Sequence, residues 1–240
     1  MAAPPIQLPS YESVVESGRS IWPSADFFRL RWYLRGPVED SIRVIANPFD
    51  STSPQEPYQT TVPDGGVRVH PVSQACLTNI PVSSITVTVR ALDTWEESWQ
   101  DAHREIDEGD KEYEQLADGT RRLARAYGED RPGPPPTCVV RASAQPFVTV
   151  GDYVGAVHPW LRALEDDIRR AKGVWRFAPL NRNYDIFLDP VQLDHLFTWD
   201  TGSFKPPAEE AKWRGVAKVA RDRADRLAAA AAEAFGGDAS

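Results

Sequence analysis

The amino-acid sequence predicts an α+β fold: a small, mainly antiparallel sheet with several helices and a long C-terminal helix. Three stretches carry this expectation. Ser84–Ala91, SITVTVRA, alternates as a half-buried strand does, with Ile85, Val87, Val89 and Ala91 on one face and Thr86, Thr88 and Arg90 on the other. Phe147–Lys172 runs from a strand signal into an amphipathic helix. Its start is a capping box, Thr149 with Asp152, and its apolar stripe is Val150, Tyr153, Val154, Val157, Leu161, Leu164 and Ile168. From Ala208 to Phe235 the chain is rich in alanine, the strongest helix former.

Taken in order, residues 1–20 read as a flexible N-terminal tail. Within it Leu8–Tyr11, LPSY, resembles the LPxY variant of the motif bound by WW domains, which makes Leu8 and Tyr11 candidate interaction residues. A single α+β domain is expected over 21–203. It opens with the aromatic segment Ile21–Leu34, whose residues suit a core and would also suit a peripheral membrane anchor. Strands are expected at Ser41–Asn47 and in VRVHPV after the Asp64-Gly65-Gly66 turn, with a long polar loop between them that is a candidate binding loop.

Asp93 with Glu96 reads as a second capping box. Positions 95, 99, 102, 106, 109, 113, 116, 120, 123 and 127 then recur at alternating steps of four and three, as in the seam of a helix packed along another helix. Gly109 and Gly119 weaken that helix, so a break near Glu108–Asp110 is expected. Trp95 and Trp99 head the seam as candidate interaction residues. CVVRA at Cys138–Ala142 is a further strand candidate. In the central helix, Pro159 is expected to stand at the first position of the main helix, after a short turn ending at His158. WRFA and Tyr184–Leu188 read as strands, and Asp189-Pro190 as the start of a short helix. Residues 204–240 are expected to form the C-terminal helix, entered through Lys205-Pro-Pro and frayed at GGDAS. Its small-residue seam and basic charge predict packing along the acidic helix, within one chain or between two.

The stretch Val148–Leu161, VTVGDYVGAVHPWL, resembles one in uncharacterised fungal proteins, where a strand and the phrase TV-x-D precede a helix carrying His-Pro-Trp. The resemblance implies a fungal intracellular origin and brings no activity with it.

Composition narrows the function classes. The net charge is −8, and Asp93–Asp130 alone holds thirteen acidic and five basic residues. Such a chain lacks the cationic surface that general nucleic-acid binding needs. No apolar run approaches the roughly 20 residues of a membrane span, and the opening lacks a secretory signal, so a cytoplasmic location is expected. Cys76 and Cys138 have neither metal nor disulfide spacing. No zinc, P-loop, nucleophile-elbow or kinase motif occurs, so no cofactor or metal is expected.

The first expectation for function is a non-catalytic protein-interaction or scaffold protein, with a protein partner or self-association. The alternative is a small-molecule enzyme or binding protein. Its aromatic-lined pocket would be built from Trp160, Trp175, Tyr184 and Trp199, with His158, His195 and Asp185 as the candidate catalytic residues.

Overall fold

The structure, a computed structural model, describes residues 8–203 and 208–236. In chain order the elements begin with α1 (Tyr11–Glu16), β1 (Leu30–Trp32), α2 (Val38–Ser41), β2 (Ile42–Ile45), β3 (Gln55–Pro57), β4 (Gln59–Thr61) and β5 (Val67–Val69). The middle of the chain forms β6 (Ser84–Val89), α3 (Arg90–Asp93), α4 (Trp95–Ala102), β7 (Lys111–Gln115), β8 (Arg121–Ala126), β9 (Glu129–Asp130) and β10 (Cys138–Arg141). Then come α5 (Val150–Ala163), α6 (Glu165–Gly173), β11 (Ile186–Asp189), β12 (His195–Asp200) and α7 (Ala208–Gly236). The fold is α+β, with small sheets that are antiparallel at all but one pairing.

The central sheet has the order β10-β6-β12-β11. Its one parallel pairing joins β6 to β12, at Thr88 and Val89 opposite His195 and Leu196. A second sheet, β1-β2-β3, abuts β11: Tyr33 bridges to Phe187, and the Leu34 N–H donates to the Ile186 carbonyl at 2.8 Å. Alternation along β11 sends Ile186 and Leu188 into the main core beneath α5, and Phe187 to the opposite face. There Trp213 of α7 packs on Phe187 with ring centroids 5.3 Å apart, beside Phe28. The sheet is therefore covered on both faces.

Helix α5 forms for the reasons read from its sequence. Both halves of the Thr149–Asp152 capping box are made, at 3.0 and 2.9 Å, and Val150, Tyr153, Val154, Val157 and Leu161 are buried. The chain turns at Leu164 into α6, which buries Ile168. Pro159, however, lies inside α5 and not at its start. It removes the donor for the Gly155 carbonyl, and Gly155 is exposed, so water can serve that carbonyl.

Tertiary contacts override several other local readings. Residues 1–7 lie outside the described residues, but 8–20 are not a loose tail. Ser10 caps α1, Tyr11 and Val14 are buried, and the Glu12 carboxylate accepts the Thr86 N–H at 2.6 Å where β6 has not yet reached its pairing with β12. The long acidic helix is not formed. Asp93 closes α3 and takes a bond from the Thr88 hydroxyl at 2.7 Å instead of capping α4. Helix α4 then ends at Ala102, and the chain becomes the hairpin β7–β8. Gly119 sits at φ +83° in its loop, and Glu114 pairs with Arg122 across the strands at 2.5 Å. The expected WRFA strand is a short turn, and the expected helix at Asp189 is a turn in which that carboxylate accepts the Val191 N–H at 2.9 Å. With no long acidic helix to meet, α7 packs on the sheet through Trp213, Val216 and Ala220, while Leu227 is exposed. The linker at 204–207 and the end at 237–240 lie outside the described residues. Among the described residues no helix is long and apolar enough to cross a membrane.

One buried charge stands out beneath α7. Arg31 is 2% exposed, its guanidinium lies 4.3 Å from the Trp213 ring centroid, and both terminal nitrogens lack a hydrogen-bond partner among the described residues. Burial pushes its pKa down to about 10. An unmatched buried cation destabilises unless the stacking on Trp213 offsets it. Arg31→Met is therefore expected to raise the free energy of unfolding by about 1–3 kcal/mol. A denaturant midpoint lower than that of the parent chain would mean the stacking outweighs desolvation.

Candidate functional site

The residues singled out by sequence do not converge on one pocket. His158 is buried on α5. The Trp32 indole N–H donates to its Nδ1 at 3.0 Å, so Nε2 carries the proton and donates to the Gly36 carbonyl at 3.0 Å. Both ring nitrogens are thus used within the core, and desolvation lowers its pKa. His195 is exposed at the start of β12, with Nδ1 2.9 Å from the Thr88 hydroxyl and 3.6 Å from Asp93. Asp185 pairs with Arg35 at 3.7 Å and lies level with Thr201, six residues along β12 from His195, or about 20 Å by strand rise. Trp160 packs against the main core, Trp175 is exposed, and Trp199 reaches Asp189 through its indole N–H at 3.3 Å. Tyr184 is exposed, and the four aromatic residues do not enclose a common cavity with the two histidines. Leu8 is half-buried and Tyr11 is buried, its hydroxyl 3.4 Å from Asp194, so LPSY is not presented as an extended ligand.

Trp95 and Trp99 lead to a better site. Four residues apart, they share one face of α4 and wall a cleft of about 300 Å³. Its other walls are Glu129 and Asp130 of β9, Arg170 of α6, and Val174, Ala178 and Pro179 after α6. Beneath it Trp99, Ala126 and Val174 form a small core separate from the main one.

Two features beside the cleft, next to its lining residues Trp99, Glu129 and Ala178, are costly to hold. Tyr127 and Phe177 are the non-glycine residues at positive φ among those described, each at +49°. Tyr127 with Gly128, at φ +75°, makes the two-residue turn between β8 and β9. The first position of such a turn favours Asn, Asp or Gly; an aromatic residue there costs about 1–2 kcal/mol. The two strained rings meet edge to face with centroids 6.1 Å apart, and they remain 55% and 49% exposed. The second feature is unmatched buried polarity. His103 is fully buried, stacked 4.6 Å from Trp99 and edge-on to Phe177 at 5.3 Å. Its Nδ1 bonds the Trp99 carbonyl at 2.7 Å, while its Nε2 and the Trp99 Nε1 have no hydrogen-bond partner among the described residues. The nearest carboxylate oxygen to that Nε2 is Glu129 Oε2, at 4.0 Å, beyond hydrogen-bond reach.

Glu129, half-exposed, accepts no hydrogen bond among the described residues, whereas Asp130 lies 3.4 Å from Arg125. Arg170 is 3.3 Å from Asp167 on its own helix. No cluster of three or more potential metal ligands occurs among the described residues. Sequence reading singled out Trp95 and Trp99 and missed His103, Tyr127, Glu129 and Phe177. Its available signal was Tyr127-Gly128 followed by two acids, read there as the end of a helix. Comparison with protein-family models, curated proteins and solved structures gives no match.

The histidine of the core yields a pH dependence. A depressed folded-state pKa means that the unfolded chain binds the proton more readily. The His158 contribution is then complete above the unfolded value near 6.5 and is lost as pH falls from there through the depressed folded value. Stability should decline over this window in the parent chain and decline less in His158→Gln, measured as denaturant midpoint against pH. Equal slopes would remove His158 as the cause.

Proposed function

We propose that this chain is a non-catalytic protein-interaction protein and that the Trp95–Trp99 cleft, with its Tyr127–Phe177 rim, is the surface that receives the partner. The observation that carries this reading is the pair of exposed aromatic residues held in left-handed backbone conformations beside a tryptophan-walled cleft. Strain of this kind persists where surrounding structure enforces it, and it clusters at sites of function. Exposed aromatic side chains around a partly desolvated pocket are also the composition of interface hot spots. Nothing in the arrangement favours catalysis: His103 is fully buried against its own helix, and no nucleophile lines the cleft.

The reading separates stability from function at one residue. Tyr127→Asn gives the turn its favoured Asn-Gly pair and removes an exposed ring, so stability should hold or rise by up to about 1 kcal/mol. A random-peptide display library panned against the full chain should yield peptides that bind the parent. They should bind Tyr127→Asn and Trp95→Ala at least about tenfold more weakly, each lost hot-spot contact being worth about 1–2 kcal/mol. Enriched peptides that bind the stable Tyr127→Asn chain as well as the parent would place the interaction surface elsewhere.

A further inference from the structure

We propose that the group this cleft takes from its protein partner is an arginine side chain; the proposal rests on the interaction reading above and assigns the chemistry of the partner. The volume of about 300 Å³ suits one extended side chain rather than a helix or a strand. The partly exposed indole of Trp95 faces the space over a floor that holds the buried Trp99, and tryptophan is the strongest aromatic partner for a cation. Opposite them stand Glu129 and Asp130, neighbours on β9. Glu129 is the unspent group: its carboxylate is half-exposed, its closest cationic or imidazole nitrogen is His103 Nε2 at 4.0 Å, and it accepts no hydrogen bond among the described residues.

The sign of the charge favours the same answer. Among the described residues Arg170 is the one cation in the cleft wall, and Asp167 on the same helix lies 3.3 Å from it. Asp130 keeps its negative charge toward solvent, being 3.4 Å from Arg125 but largely exposed. The segment that builds α4 and the hairpin carries thirteen acidic and five basic residues from Asp93 to Asp130, so a cation is drawn toward this face and an acidic ligand repelled. A planar guanidinium is less strongly hydrated than an ammonium, stacks on aromatic rings, and offers several donors in one plane to carboxylates. Arginine therefore fits the walls better than lysine does.

The test uses the full chain and the blocked pentapeptide Gly-Gly-Arg-Gly-Gly, with versions carrying citrulline (the neutral isostere of arginine), lysine or glutamate at the centre. Binding is followed by the amide resonances of Glu129 and Asp130 and the indole resonances of Trp95 and Trp99. Saturable shifts are expected with arginine, about tenfold tighter than with citrulline, as one charged hydrogen bond or cation–π contact would give. Glu129→Gln, a surface change whose folding the same spectra verify, should erase most of that difference, and 0.5 M salt should weaken it. Equal binding of arginine and citrulline, or no shift with arginine, would overturn the assignment. The library peptides distinguish the two levels of failure. If they shift the cleft resonances equally well after arginine is replaced by citrulline, the cation assignment falls and the interaction reading stands. If no library peptide moves those resonances, both fall.

Discussion

The hydroxyl of Tyr153 donates to the Leu193 carbonyl at 2.6 Å, and the rest of the architecture depends on that contact. The side chain is fully buried, its ring edge-on to Phe27 and Trp32 at 5.4 and 6.3 Å, and desolvation holds the phenol protonated far above its usual range. One residue thereby joins α5, the N-terminal aromatic segment and the turn between β11 and β12. That turn delivers Asp194, whose carbonyl accepts the Thr88 N–H at 2.7 Å, and begins the parallel pairing of β12 with β6. Parallel neighbours cannot be joined by a tight turn. Here the crossover contains α3, α4, the β7–β9 hairpin, β10, α5, α6 and β11.

Several other buried polar groups of the body are matched in the same way. His158 uses both nitrogens. Lys172 is held by Asp200 at 3.0 Å and by the Thr198 carbonyl at 2.9 Å, and Asp200 also accepts the Ser203 N–H at 2.7 Å. The carboxylate of Glu12 covers a strand donor that no neighbouring strand reaches. Against this background the unmatched Trp99 Nε1 and His103 Nε2 are local exceptions, and they coincide with two strained aromatic residues. Arg31 and Thr198 also carry unmatched buried atoms among the described residues, but only beside the cleft do such groups meet strained aromatic residues, a combination expected of a binding surface.

The exception is affordable because it sits on a separate small core. Trp99, Ala126 and Val174 form a cluster of their own that meets the main one through Trp95. The hairpin β7–β9 carries its acids and arginines as cross-strand and local pairs, including Glu114 with Arg122 and Glu108 with Lys111. Exposed pairs of this sort add little stability. They shape the field around the cleft, and charge of one sign selects partners more than it holds a fold together.

How much was legible in the sequence follows from the range of the interactions concerned. Helix α5 was readable because its cap is made within four residues and its buried face repeats within one turn. Strand β6 was readable from its alternation, and α7 from its alanine content. Residues 95–127 were misread because Tyr113, Leu116, Leu123 and Tyr127 fit steps of four and three as well as they fit two strands. The choice was made by the turns at Gly119 and Tyr127-Gly128 and by cross-strand pairing, which a helical count does not see. Likewise Ser10 signals a helix start, but Tyr11 is buried only because the face beside β6 and Asp194 lies open to receive it. By itself the sequence determined the α+β class, the capped central helix, the acidic segment and the neighbouring tryptophans of α4. Tertiary structure alone decided that Glu129 and Phe177 stand beside those tryptophans, because residues that far apart in the chain meet through packing and not through any local rule.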